Sequence, residues 1–378
     1  MKKIIIIGGG FAGLSCASRL SKYAAKMGLD IIVISDKKDF CFPPMLPDCL
    51  GRKIDPVNLT YDLCRISKKL KFQFIKDKVI TLNLSRKEVL TENKALSYDF
   101  LVVASGSETN FYGNELIRKC AFKLDDAQDA LAIQDAVKES DHSSYLISGG
   151  GYTGVEVATN LSRHLRKFGQ SKKIVIIERA PSILGPLPQW MKDFVLNNLG
   201  RLNIEVLNNV SIVKTELNKI ELSDGRIFNN SMLIWAAGVK TADFIQKLEL
   251  EKTPQGRIKV NEYLEFDKNC FAAGDACNFT YKDISLRMAV QFAIMQGDCV
   301  AMNIIKNIKA KSEIKYRPLD LGYVIPMANN RSCGVIFGIN VKGLLPTYLH
   351  YFMCIYRLYG FKNKLRIIMS LTKEVRND

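Results

Sequence analysis

Two glycine-rich hexads carry the strongest chemical signal in the chain. Gly8-Gly9-Gly10-Phe11-Ala12-Gly13 returns as Gly149-Gly150-Gly151-Tyr152-Thr153-Gly154. Both fit Gly-x-Gly-x-x-Gly, a spacing that suits a pyrophosphate. The first glycine makes the tight turn, the second lets the backbone approach the phosphates, and the third lets helix pack on strand. A helix beginning there adds free N–H groups and the positive end of its dipole. An acid follows each hexad, where a ribose would lie. Asp36 comes after the first, displaced by one position because Ser35 occupies the strand end; Glu178 ends the run Ile174–Ile177 after the second. A carboxylate there accepts hydrogen bonds from both ribose hydroxyls and repels a 2′-phosphate, so NADH is expected over NADPH. Arg179 weakens that preference without reversing it. Glu156 falls on the first turn of the second helix, where it either complements the dipole or stands beside the ligand.

The elements that must position these residues repeat as well. Each hexad follows a short apolar run (Ile4–Ile7; Tyr145–Ser148) and precedes a helical pattern (Leu14–Met27; Val155–Lys167), then a second strand (Ile31–Ser35; Ile174–Ile177). That is a βαβ unit written twice. Phe72–Ile75, Val79–Leu84 and Glu88–Thr91 read as an antiparallel meander, and Ile204–Leu207, Ser211–Lys214 and Lys219–Leu222 as another. Phe100–Ala104 and Met232–Ala236 read as buried strands ending at Ser105-Gly106 and Ala237-Gly238. Phe271–Ala273 leads into Gly274-Asp275, and Arg287–Ile308 reads as a long helix. The expected architecture is α/β, with two Rossmann-like dinucleotide-binding domains, the second inserted in the first. The expected spans are 1–112 and 253–340 for the first domain, 113–252 for the second, and 341–378 for a C-terminal segment. Two sites on one chain imply two nucleotides: FAD held permanently and non-covalently by one, a nicotinamide visiting the other.

Composition narrows the class. With 47% hydrophobic and 24% charged residues the chain is globular, not disordered, collagenous or coiled-coil. The ten cysteines are scattered, and without Cys-x-x-Cys they support neither a zinc ribbon nor a thioredoxin-like centre. No metal is expected. Met1-Lys2-Lys3 followed by four isoleucines does not read as a signal peptide, and no apolar run reaches the ~18 residues of a spanning helix. The net charge of +16 calls for an anionic partner: nucleic acid, anionic lipid or a phosphorylated cofactor. No arginine-rich or aromatic-interleaved motif accompanies the charge, so nucleic acid is not expected.

Taken together the motifs resemble the flavoprotein pyridine-nucleotide oxidoreductases and, within them, the type II NADH:quinone oxidoreductases. Leu101–Gly106, Trp235–Gly238 and Phe271–Ala276 match the wider family. The resemblance implies that Gly8–Gly13 holds the ADP portion of FAD, with Ala104, Ser105 and Gly106 also at the cofactor, and that Asp275 beside Gly274 bonds its ribityl or phosphate end. Ala237 and Gly238 are placed at the nucleotide in the same way. Phe42–Pro47 resembles the narrower family's segment beside the flavin, which brings in Pro44. Gln291–Gly297 resembles its glutamine motif lining the nicotinamide and quinone approaches; Gln291 and Gln296 are retained, while Val290 and Met295 depart from the pattern. Glu156 matches a carboxylate implied in proton or quinone handling. The implied reaction is hydride transfer from NADH to N5 of FAD, then two-electron reduction of a membrane quinone, without proton pumping.

Val341–Asp378 holds seven Lys/Arg and two Asp/Glu among large apolar residues. Leu349–Arg366 resembles the family's membrane-docking tail. Read on its own, it is interrupted by His350 and Arg357 and cannot span a bilayer. Tyr348, Tyr351, Tyr356 and Tyr359 are rings suited to an interface, and Lys362, Lys364 and Arg366 suit anionic headgroups. A peripheral enzyme on the cytoplasmic face of the cell membrane is expected, as a homodimer. Two alternatives stand beside this reading. A sulfide:quinone oxidoreductase would need a redox cysteine pair, for which Cys120 and Cys333 are candidates. A non-enzymatic basic flavoprotein would bind nucleic acid or sense redox state.

Overall fold

The computed structural model describes residues 1–139, 141–216 and 218–375. Residues 140 and 217, within the span expected for the second domain, and 376–378, at the end of the expected C-terminal segment, lie outside the described residues. The chain divides into two compact units: Met1–Phe40, Tyr61–Glu108 and Val239–Asp320 form the first, and Cys41–Thr60, Thr109–Gly238 and Leu321–Asp378 the second. Segments 41–60 and 321–340, which the sequence reading groups with the first domain, thus belong to the second unit.

The first unit is built on a six-stranded sheet. Its order is Glu265–Asp267, Cys270–Ala272, Phe100–Val103, Lys2–Ile7, Leu29–Ser35 and Gln73–Lys76. All pairings are parallel except that of the first two strands. The strands read as continuous apolar runs because helices cover them, and Ile4, Ile5 and Ile6 are fully buried. Helix Phe11–Met27 packs against helix Val290–Ile308. The second unit has a four-stranded, all-parallel sheet in the order Ile204–Asn208, Lys173–Glu178, Ser144–Ser148 and Ser231–Trp235. Helix Tyr152–Lys167 lies on it, and Val155, Ala158 and Leu161 join Ile147, Ile174 and Ile176 in one core. Gly322–Ile325, Ser332–Ile336 and Ile339–Gly343 form a three-stranded antiparallel sheet that runs into helices Leu344–Arg357 and Phe361–Val375.

Several expectations need correction. Gln73–Lys76 and Ile204–Asn208 are parallel edge strands of the two main sheets, not first strands of meanders. The meanders are instead Val79–Asn83, Glu88–Thr91, Ala95–Ser97 and Ile212–Glu216, Lys219–Leu222, Ile227–Asn229. Both glycine-turn helices start earlier than the apolar pattern indicates, at Phe11 and Tyr152, because the last three residues of each hexad already form the first turn of the helix. The long helix starts at Val290, leaving Arg287 before it. The tail is two helices broken at Leu358–Gly360, with Gly360 at φ 82°. Tyr351 is not an interface ring: it is 7% exposed, and its hydroxyl donates to Asp48.

Candidate functional site

The two hexads fold into the same turn. Gly8 has φ 111° and Gly149 φ 105°, a region that side chains rarely adopt. A Cβ on Gly8 would run into the carbonyl of Ala104, and one on Gly149 into that of Ala236, so each turn crosses the end of the neighbouring strand at backbone contact. A Cβ on Gly13 would strike the Gly8 carbonyl, and one on Gly154 the Gly149 carbonyl, which fixes how closely each helix packs. Gly10 and Gly151 differ: among the described residues nothing lies within 4 Å of a Cβ at either. They are the N-caps of their helices, without a side-chain cap. The turn is therefore tight on the protein side and open on the side where the helix N–H groups point.

The first unit gathers Gly8–Gly13, Ser35, Asp36, Ala104, Ser105, Gly106, Gly274, Asp275, Gln291 and Gln296. Phe11 meets Phe40 edge-on, ring centroids 5.1 Å apart. Ala12 packs under Gly274, where a Cβ would be 3.1 Å from that of Ala12, and the Ala12 carbonyl lies against Gly297. Ser35 is the last residue of its strand, and its hydroxyl accepts from the Lys37 N–H at 3.2 Å; Asp36 is exposed just beyond. Gln296 Oε1 accepts from the Gly274 N–H at 2.8 Å, so this glutamine holds the turn that carries Asp275. Gln291 Nε2 donates to Asp320 at 3.0 Å, and Asp320 accepts two hydrogen bonds from Arg287, at 2.6 and 2.8 Å. Asp275 accepts from the Ser107 hydroxyl at 2.8 Å. Burial raises its carboxyl above the usual range, against the Ser107 hydrogen bond and the charge of Arg257.

FAD fits these residues. Gly10 leaves open space where backbone must meet phosphate. The Ser105 hydroxyl is buried with no hydrogen-bond partner among the described residues, and it follows Ala104, the residue that Gly8 crosses. Such an orphan polar atom is costly unless a ligand satisfies it. Arg257, absent from the sequence reading, is buried and donates to the Cys277 carbonyl at 2.6 Å behind the Gly274–Ala276 turn. Its only sequence signal is Gly256-Arg257 ahead of the short strand Ile258–Lys259.

The second unit gathers Gly149, Gly151, Tyr152, Thr153, Gly154, Glu156, Glu178, Ala237 and Gly238, and also Pro44. Thr153 and Gly151 are exposed at the start of the helix. Glu178 is the last residue of its strand; it accepts from the Gly150 and Ala180 N–H groups, each at 2.7 Å, and so braces the loop it was expected to serve. Ala237 accepts from the Tyr112 hydroxyl and Gly238 from the Asn110 N–H, both at 3.0 Å. Pro44 starts the short turn Pro43–Met45 that leads into helix Leu46–Gly51. Glu156 is partly buried, and burial, reinforced by the charge of Asp48, pushes its carboxyl well above the usual carboxylate range. Such a group keeps its proton at pH values where an exposed glutamate has lost it. Asp48 was not legible as a partner in the sequence, since its buried neighbour Tyr351 lies far along the chain.

Known proteins extend the picture. Residues 2–297 match the family model described as pyridine nucleotide-disulphide oxidoreductase. A type II NADH:quinone oxidoreductase of Staphylococcus aureus is 26% identical over 368 residues, covering 90% of this chain and 91% of that protein. The structure of NDH2 from Plasmodium falciparum in complex with NADH superposes with a TM-score of 0.84, at 19% identity and 98% coverage of both chains. The sulfide:quinone oxidoreductase of Aquifex aeolicus superposes with a TM-score of 0.81, at 21% identity, covering 96% of this chain and 92% of that one. With its family model spanning both hexads and the Gly274-Asp275 turn, the chain belongs to the pyridine nucleotide-disulphide oxidoreductases.

Proposed function

We propose that this protein is an FAD-dependent NADH:quinone oxidoreductase that works at a membrane surface without pumping protons. The carrying observation is the pair of matching turns, each open at its second glycine, in a chain similar over nine-tenths of its length to type II NADH:quinone oxidoreductases. The FAD-binding part is assigned to 1–112 and 253–340, the NADH-binding part to 113–252, and docking to 341–378. Bound FAD would supply the two-electron relay, taking hydride from NADH and passing electrons to quinone. The residues of the chain do the rest. Gly8–Gly13 and the helix behind it hold a pyrophosphate, and Asp275 accepts a hydroxyl at the far end of the same cofactor. Gly149–Gly154 and Glu178 hold and orient NADH. Gln291 and Gln296 border the approach to the reacting ring. Glu156 delivers a proton to the reduced quinone, in keeping with a carboxyl that burial holds protonated.

Docking rests on the tail. Leu345, Tyr348, Phe352 and Tyr356 recur along one exposed face of its first helix, and Phe361, Leu365 and Ile368 are exposed on the second, beside Lys362 and Arg366. No helix among the described residues is long and apolar enough to cross a membrane. A face of this kind lies on a bilayer with its cations at the headgroups. On this reading the enzyme works peripherally, on the cytoplasmic face of the membrane, as a homodimer without a nucleic-acid partner. The sulfide reading has less support: Cys333 is fully buried, and burial pushes its thiol up to about 12, the reverse of a reactive thiolate.

The test is anaerobic. The purified yellow protein should be bleached by NADH and recover its colour on adding a quinone; bleaching by sulfide but not by NADH would overturn the assignment. Glu178→Ala should raise the KM for NADH about tenfold, the scale of a lost charge-assisted hydrogen bond of about 1.5 kcal/mol. It should also narrow the gap to NADPH. An unchanged ratio of the two cofactors in steady-state kinetics would remove Glu178 from recognition and leave it only the bracing of Gly150.

A further inference from the structure

A buried polar cluster in the second unit takes no part in the nucleotide turns. Helix Leu46–Gly51 is buried throughout and carries Asp48, with Arg52 at its C-terminal end. These residues, 4% and 2% exposed, pair at 3.4 Å. Tyr351, from helix Leu344–Arg357, donates its hydroxyl to Asp48 Oδ1 at 2.7 Å, and the Arg52 guanidinium lies 5.1 Å from the centre of the Tyr351 ring. Arg52 also donates to the Ala328 carbonyl and to Asn330 Oδ1. A buried ion pair contributes little stability compared with a well-packed apolar replacement, so its presence invites a reason other than folding.

That reason lies across the helix interface. Helix Leu46–Gly51 meets helix Tyr152–Lys167 at backbone contact, where a Cβ on Gly51 would be 2.5 Å from the Asn160 carbonyl. Asp48 is about one turn before Gly51, and Glu156 about one turn before Asn160, whose Nδ2 donates to the Glu156 carbonyl. The two carboxyl groups therefore flank a single crossing. The tail helix adds Cys354, with its thiol pushed up by burial and then by Asp48 and Glu156. It also adds His350, whose Nε2 is 3.5 Å from Cys354 Sγ and whose imidazole burial pushes down. Arg357, further along the tail helix, favours the Cys354 thiolate. From the sheet beneath, Ile147, Ile174 and Ile176 are apolar.

We propose that Asp48, fixed by Arg52 and Tyr351, is a positioning residue that keeps the proton on Glu156. The inference rests on the reading of Glu156 as the proton donor to quinone. A negative charge beside a buried carboxyl opposes its ionisation, and Tyr351 tempers that charge by donating to it. The tail helix thereby adjusts the acidity of the donor through one hydroxyl.

The test is an infrared titration of the full-length, flavin-loaded protein without substrate. The carboxylic-acid band of Glu156 is identified as the one lost in Glu156→Gln. In Asp48→Asn the pH at which this band is half lost should fall by about one unit or more. In Tyr351→Phe it should rise, because the charge on Asp48 is then less shared. General loosening of the structure would lower the midpoint in both variants, towards that of an exposed carboxylate. An unmoved midpoint in Asp48→Asn, or a fall in both, overturns the proposal; should Asp48→Asn fail to fold, a fall or no change in Tyr351→Phe does so alone. Quinone turnover indifferent to Glu156→Gln, with both infrared shifts as expected, would end the donor reading and leave the coupling supported.

Discussion

Gly10→Val is expected to fold and yet come off the column colourless, while Gly151→Val should stay yellow and lose its grip on NADH. Both glycines have extended backbones, φ −85° and ψ −167° at Gly10 and φ −77° and ψ −169° at Gly151, which a β-branched residue adopts without strain. Neither would touch a protein atom within 4 Å through its new Cβ. The folding cost is limited to a poorer N-cap, about 1 kcal/mol. The ligand side is another matter, since the branched side chain would stand where phosphate must meet the backbone. Flavin content of Gly10→Val should fall at least about tenfold, and the KM of Gly151→Val for NADH should rise by at least as much, each a loss of about 1.4 kcal/mol or more. Gly13→Val and Gly154→Val serve as contrasts: they collide with the carbonyls of Gly8 and Gly149 and should lower the melting temperature. A Gly10→Val protein with a full complement of flavin would show that the first turn is not the cradle.

The second large effect concerns the tail. Phe352→Glu combined with Phe361→Glu should release the protein from anionic vesicles while NADH oxidation by a soluble acceptor continues unchanged. Phe352 is 65% exposed and Phe361 80%, so the folded protein loses little. Burying each ring in lipid is worth about 1.5–3 kcal/mol, so losing both should weaken partitioning at least about a hundredfold. Co-sedimentation with vesicles measures it, and undiminished binding by the double variant would place the docking surface elsewhere. These substitutions are a cleaner probe than deletion from Leu344 onward. Deletion would also remove Thr347, Tyr351, Cys354 and Ile367, all buried.

The sequence made the turns legible because their chemistry is local. Glycines at fixed spacing, a strand before and a helix after all lie within one stretch of chain, and the structure returns the same geometry twice. The matching error in the two halves is equally physical. Gln73–Lys76 and Ile204–Asn208 are short segments of mixed polarity followed by meander strands, and nothing in such a segment says whether its neighbour is the next strand or one reached by a crossover. The role of Gln296 was hidden because its partner is a backbone N–H, which leaves no mark in side-chain spacing. Arg52 and Asp48 are visible as an i, i+4 pair, but nothing in that spacing shows that both are buried or that Tyr351 of the tail helix bonds to Asp48.

The hydrogen bond from Tyr351 to Asp48 spans 303 positions of sequence. Its consequence reaches into biogenesis. A nascent chain that has emitted Asp48 and Arg52 must carry that charged pair without its tyrosine partner across the 303 positions that separate Asp48 from Tyr351. Contacts so distant in sequence slow the final closure. Helix Leu344–Arg357, which carries rings proposed for docking, is thus also the late-arriving partner of the Asp48–Arg52 pair in its own unit.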